Sequence, residues 1–171
     1  MDGLTSIFSS CNPCTHFSRL GVSVSRACPG ECESDCACCC CMPIYAHLVQ
    51  LEGFTAGAGM PLPFTGSNVL GSGLEFSGGL LTLPGPGVYH VRYQVNIPGD
   101  QGVFTNFVLR ANGVDVPGTQ QTVSPGVLSA TAEAVIEADE STTLGLYTTS
   151  PLNLTASTDG TALATLTLTQ L

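Results

Sequence analysis

Alternation with a period of two, broken at short intervals by glycine and proline, runs from residue 44 to the end of the chain and points to β-structure throughout. Between Tyr89 and Ile97 the apolar set Tyr89, Val91, Tyr93, Val95 and Ile97 alternates with His90, Arg92, Gln94 and Asn96. Successive strand side chains point to opposite faces, so this pattern predicts a half-buried strand. Residues 103–111 form a second such run, followed by Asn112-Gly113 and then Val114-Asp115-Val116. A type I′ turn needs positive φ at both central positions, so Asn-Gly between such runs predicts a tight hairpin. Further runs fall at 44–52, 74–83, 119–123, 127–138, 142–148, 151–156 and 161–170. Pro84-Gly85-Pro86-Gly87, Pro98-Gly99, Pro117-Gly118 and Ser124-Pro125-Gly126 punctuate them. No window carries a helical period. Eight to ten short strands at this spacing predict an all-β sandwich or jelly roll for residues 44–171.

Two runs have an unusual face. In 128–138, Leu128, Ala130, Ala132, Ala134, Ile136 and Ala138 share one side. In 161–170, Ala162, Ala164, Leu166 and Leu168 share one side, and Thr161, Leu163, Thr165, Thr167 and Thr169 the other. Small side chains allow close approach, either of the two sheets or of two subunits.

The first 43 residues are of another kind. All nine cysteines lie there: Cys11, Cys14, Cys28, Cys32, Cys36, Cys38, Cys39, Cys40 and Cys41. The remaining 130 or so residues are enough to bury a core without covalent help. The segment 1–43 is therefore expected to cross-link or bind metal rather than to stabilise the fold of 44–171. A zinc site calls for two separated pairs closing one tetrahedron, but only Cys11-Asn12-Pro13-Cys14 is a CxxC, and four adjacent cysteines do not readily share one ion. A redox CxxC expects a βαβ setting, which the pattern lacks. Disulfide cross-linking leads, with metal or cluster binding and free thiols as the other readings. No cofactor and no metal ligand set is assigned.

Charge narrows the function further. Only 10 % of residues are charged, against roughly 25 % in an ordinary domain. The chain has four arginines, no lysine and a net charge of −9, which disfavours nucleic-acid binding. So little charge with a positive mean hydropathy predicts extensive buried surface, as in an oligomer. No stretch approaches the ~20 apolar residues of a membrane span. Residues 1–8 lack the basic and apolar regions of a signal peptide, so synthesis in a reducing cytosol is expected. His16, His47 and His90 stand in no nucleophile–base pattern, and no nucleotide loop or metalloprotease motif is present, so an enzyme is not expected. His90 belongs to the polar face of its strand. Glu133, Glu137, Asp139 and Glu140 form an acidic run with no calcium-loop spacing, which reads as a solvated edge. Asn153-Leu154-Thr155 matches a glycosylation sequon that carries little weight without secretion.

Two stretches resemble a known family. Phe107-Val108-Leu109-Arg110-Ala111-Asn112-Gly113-Val114-Asp115-Val116-Pro117-Gly118 and Pro84-Gly85-Pro86-Gly87-Val88-Tyr89-His90-Val91-Arg92-Tyr93 look like parts of the C-terminal head of BclA-type exosporium glycoproteins. The resemblance covers roughly residues 44–171. It implies a trimeric jelly roll of the complement and tumour-necrosis-factor (TNF) kind, located on a bacterial spore surface. Such proteins usually carry a collagen-like Gly-x-y stalk before the head; here the nine-cysteine segment stands in its place. That departure favours a subunit joined directly to its neighbours, in an endospore appendage or exosporium layer. It would be made in the mother-cell cytoplasm and oxidised after lysis.

Trimer symmetry gives the odd cysteine count a meaning. Bonds within a chain or around a three-fold axis use cysteines two per chain, so the ninth stays free or bonds outside the trimer, and the odd count points to links between trimers. Leu4, Ile7 and Phe8 precede the cysteines. They are expected either to connect to a neighbouring trimer, as an added strand or plug, or to form a disordered end. The leading expectation is a homotrimer that assembles into a fibre or lattice, alone or with other spore-coat or exosporium proteins. The alternatives are an adhesive or receptor-binding head anchored by its tail, and a metal-binding spore protein.

Overall fold

The structure, a computed structural model, describes residues 44–171 except 71, 72, 100 and 140. The nine cysteines and Leu4, Ile7 and Phe8 lie outside the described residues. Among those described there are thirteen strands and no helix: β1 Tyr45–Gln50, β2 Phe54–Ala56, β3 Gly66–Leu70, β4 Glu75–Ser77, β5 Leu80–Thr82, β6 Gly87–Asn96, β7 Thr105–Ala111, β8 Val114–Asp115, β9 Gln121–Val123, β10 Ser129–Ala138, β11 Thr143–Thr148, β12 Leu152–Leu154 and β13 Ala164–Gln170.

One sheet has the order β10-β6-β13-β1-β3. The facing sheet runs β4-β5-β11-β7-β8, with β9 also paired to β7, and β12 pairs with β2 in a small third ladder. The ladders are antiparallel, and non-consecutive neighbours such as β6 beside β13 mark crossings between sheets. This is a jelly-roll sandwich, the architecture the punctuated alternation predicts.

The core follows from the alternation. Tyr89, Val91, Tyr93 and Val95 of β6 are each fully buried and face Phe107, Leu109, Leu144 and Leu146 in one continuous cluster. The alanines of β10 are explained by their partners. Ala132 pairs with Tyr93, Ala130 with Val95 and Ile136 with Tyr89, so small side chains lie beside large ones on one inner face. Ala130, Ala132 and Ala138 are buried within the chain itself. Of the two readings of this stripe, packing between the sheets holds and the subunit interface does not, because the chain's own core covers all but its exposed end at Leu128.

The Tyr93 hydroxyl crosses the sandwich. It donates to the Thr119 carbonyl at 2.7 Å, with the Phe107 carbonyl at 3.3 Å sharing the proton. Burial holds its pKa well above the ordinary phenol range, and the Tyr89 phenol is raised for the same reason. A buried donor is costly unless satisfied, so this bond fixes one sheet against the other.

Other expectations changed in detail. The single run at 74–83 is two strands joined at Gly78-Gly79, where φ is 59° and 83°. Asn112-Gly113 makes the predicted hairpin, with φ of 51° and 77°. Leu163, expected on the threonine face, is 1 % exposed and part of the core. The strand begins only at Ala164, so strict alternation does not reach back to it. Strands β2 and β3 were not foreseen; with the division of 74–83 they bring the ten expected runs to thirteen strands.

Candidate interaction face

The side of the five-stranded sheet facing away from the core is the broadest surface built from regular structure. Register arranges it in rows. Thr131 of β10 lies opposite Gln94 of β6, which lies opposite Thr165 of β13, which lies opposite Val49 of β1. The next row is Glu133, Arg92, Thr167 and His47, and the one after it Val135, His90, Thr169 and Tyr45. Neighbouring strands stand about 4.8 Å apart, so a row of four spans roughly 15 Å. At its end lie Val88 and Leu171, tied by a backbone bond of 2.9 Å from the Leu171 N–H to the Val88 carbonyl.

Short hydroxyl and apolar side chains dominate this face, with charge confined to its β10 side. Val135 is 61 % exposed, and Val88 and Leu171 are exposed beside it. His90 Nε2 lies 3.5 Å from Glu133 Oε2, across the ladder on the diagonal. His90 is thus a surface group of its strand, as its place in the alternation implied, and His47 is half-buried on the same face. Glu133 and Glu137 are exposed and Asp139 follows the strand, while Glu140 lies outside the described residues. Among the described residues no three His, Cys, Asp or Glu side chains are grouped to hold a metal.

The margin of this face is also open. Strand β10 is ten residues long, ends the sheet, and among the described residues pairs only with β6. A long edge strand offers unpaired N–H and C=O groups to any passing chain, so folded proteins usually cover or blunt it. Glu133 and Glu137 supply some blunting, but Ser129, Thr131 and Val135 do not.

On the opposite sheet Arg110, Asp115 and Tyr147 form a smaller polar group. The Arg110 Nε–H donates to Asp115 Oδ1 at 2.6 Å, and its guanidinium lies 4.7 Å from the Tyr147 ring centre. The pair spans the β7–β8 hairpin and reinforces the Asn112-Gly113 turn. The sequon residue Asn153 is exposed on β12 and accepts a hydrogen bond from the Thr55 hydroxyl. A cavity beside Asp159 went unforeseen; the only signal for it was the polar run Ser157-Thr158-Asp159-Gly160-Thr161.

Comparison with solved structures fits this architecture. Murine APRIL superposes with a TM-score of 0.55 at 17 % identity, over 76 % of this chain and all of that one. The globular domain of zebrafish complement 1qA protein superposes with a TM-score of 0.50 at 12 % identity, over 75 % of this chain and 95 % of that one. At such identities the likeness is one of fold: the chain is a jelly roll of the TNF and complement C1q type. No protein-family model and no curated protein matches the sequence.

Proposed function

We propose that this chain is a structural subunit of the bacterial spore surface. It is a homotrimer that polymerises into a fibre or layer, as an endospore appendage or in the exosporium. The observation that carries the association is the outward face of the five-stranded sheet with its open ten-residue margin at β10. Packing three copies through this face would remove Val88, Val135 and Leu171 from water and cover the margin. At about 25 cal/mol per Å² of apolar surface, even a few hundred Å² per copy is a large fraction of a domain's stability. The spore setting rests on the two stretches similar to BclA-type heads.

In this reading Leu4, Ile7 and Phe8 connect one trimer to the next, and Cys11 to Cys41 lock the connection as inter-subunit disulfides. The protein is made in the mother-cell cytoplasm and oxidised once that cell lyses. Its role calls for no catalytic activity, cofactor, nucleic acid or membrane.

Negative-stain microscopy and sedimentation of the full chain, with and without reductant, test this. Trimers in reductant and extended fibres or sheets on oxidation are expected. Replacing Cys38, Cys39, Cys40 and Cys41 by serine should leave trimers intact and assemblies that dissociate in detergent. A monomer at micromolar concentration, or nine reduced and metal-free thiols in oxidised assemblies, would refute it.

A further inference from the structure

The two ends of the sandwich differ. At one end the chain enters β1 at Tyr45, which lies opposite Thr169 near the C-terminus. At the other end β1 and β6 finish, at Gln50 and Asn96, and β10 and β13 begin. Between the loops of that second end lies an open cavity of about 470 Å³, lined by Asn96–Gly99 and by residues of the 155–163 loop. This volume falls within the roughly 300–1,000 Å³ of small-molecule sites.

The cavity walls are held together across the chain. The Gln101 amide donates to the Thr155 hydroxyl, and its carbonyl oxygen accepts from the Thr155 N–H at 3.3 Å. Asn96 Nδ2 donates to the Ala162 carbonyl at 2.9 Å, and the Asn96 N–H to the Leu163 carbonyl at 2.8 Å. Asp159 is fixed as well: its Oδ1 accepts from the Ser157 hydroxyl at 2.5 Å and from the Thr161 N–H at 2.9 Å. These bonds keep the carboxyl ionised, with a pKa lowered to about 2. Binding to loops already ordered loses less entropy than binding to loops that must be ordered.

The lining chemistry selects the ligand. Among the described residues Asp159 is the single charge that lines it and none of the lining side chains is cationic, so anions are disfavoured. One carboxylate without His or Cys is a poor cation cage. Among the described residues there is no aromatic wall for a flat or greasy molecule. What remains is a set of hydroxyls, from Thr155, Ser157, Thr158 and Thr161, around one locked carboxylate. Hydroxyls both donate and accept, which suits a ligand that does the same; an ammonium only donates. Pro98 and Ile97 give an apolar strip, and the Leu128 side chain reaches to Gly99 at the rim.

We propose that this end of the domain is a binding site for a neutral saccharide, with Asp159 accepting from ring hydroxyls and Pro98 and Leu128 meeting the C–H face. Such a site would give the domain an adhesive role in addition to assembly. It rests on the cavity alone, so it stands or falls independently of the trimer and of the spore setting.

Saturation-transfer NMR on the full chain, with the methyl glycosides of glucose, galactose, mannose and N-acetylglucosamine as probes, tests the proposal. Binding of at least one probe is expected, with Kd on the order of 1 mM for a ligand of this size. Asp159→Asn should weaken it about tenfold through loss of a charge-assisted hydrogen bond. Ala156→Trp, at an exposed lining position, should abolish it by filling the cavity while leaving Asp159 and the unfolding temperature unchanged. Absence of transfer to every probe would overturn the proposal, as would transfer that survives both substitutions. Binding of calcium chloride or ethylammonium at this cavity in place of a glycoside would also overturn it.

Discussion

The Gly78-Gly79 turn allows one substitution to be tried twice in almost the same place. Both residues have positive φ, 59° and 83°, where an L-residue costs about 1–2 kcal/mol. Alanine also restricts the unfolded chain, which offsets about 0.4–1 kcal/mol of that. A methyl group built on Gly78 meets nothing within 4 Å. One built on Gly79 lies 2.7 Å from the Leu62 carbonyl oxygen and 3.1 Å from Pro61 Cβ. That segment cannot easily yield. The Leu62 N–H donates to the Leu146 carbonyl at 2.7 Å, and Pro61 bridges to Tyr147. Overpacking of this kind costs about 1–3 kcal/mol. Gly78→Ala should therefore cost about 1 kcal/mol and Gly79→Ala about 2–4 kcal/mol. At this length 1 kcal/mol moves the unfolding temperature by roughly 4 °C, so falls of about 4 °C and 8–16 °C are expected. Thermal unfolding followed by circular dichroism measures both, in reductant and at one protomer concentration, because disulfides and assembly each shift the midpoint. Equal falls, or a larger fall for Gly78→Ala, would show that the close approach of Gly79 to Leu62 is not what constrains the hairpin.

Other consequences follow from the same geometry. Tyr93→Phe removes the hydroxyl between the sheets and leaves the Thr119 carbonyl without that donor, at a cost of about 1–3 kcal/mol in urea unfolding; no measurable change would mean that water replaces it. Val135→Glu places a third carboxylate beside Glu133 and Glu137 on the outward face, and should shift sedimentation from trimer to monomer without lowering monomer stability by more than about 0.5 kcal/mol. A trimer unaffected by it would remove β10 from the interface. The Asp159 carboxyl, at about 2 in the fold against 3.8 for the free side chain, favours the folded loop fully above pH 4. That contribution is lost as pH falls through about 2, and the Thr161 amide resonance should titrate with that midpoint; a midpoint near 4 would mean that the Ser157 and Thr161 bonds do not form.

The sequence displayed its strands unevenly, for physical reasons. β6 was readable because nine residues alternate without interruption and all five of its predicted inward side chains are buried. The Asn112-Gly113 turn was readable because few residue pairs tolerate its dihedrals. β2 and β3 were not. Three residues are too few to show a period, and Gly66-Ser67-Asn68 has little β-propensity, so their pairing with β12 and β1 is what makes them strands. Within 74–83 the alternation hid the hairpin, although Gly78-Gly79 was visible as a turn signal. The alanine stripe of β10 left two readings open because a small residue announces close contact without saying with what. Tyr89 and Tyr93, more than thirty residues away, supply the answer.

By itself the sequence determined the all-β class, the main strands, their buried sides and the separation of the cysteines from residues 44–171. These are local matters: a two-residue period, the dihedrals a turn demands, and the positions of one residue type. Tertiary structure alone decided what lies beside what. It put Val135 next to His90, left β10 at the margin of its sheet, and brought the 97–99 and 155–163 segments together around a cavity. The strand order β10-β6-β13-β1-β3 joins segments more than a hundred residues apart, and that order is set by which packing of the whole chain buries its core best, not by any window of the sequence.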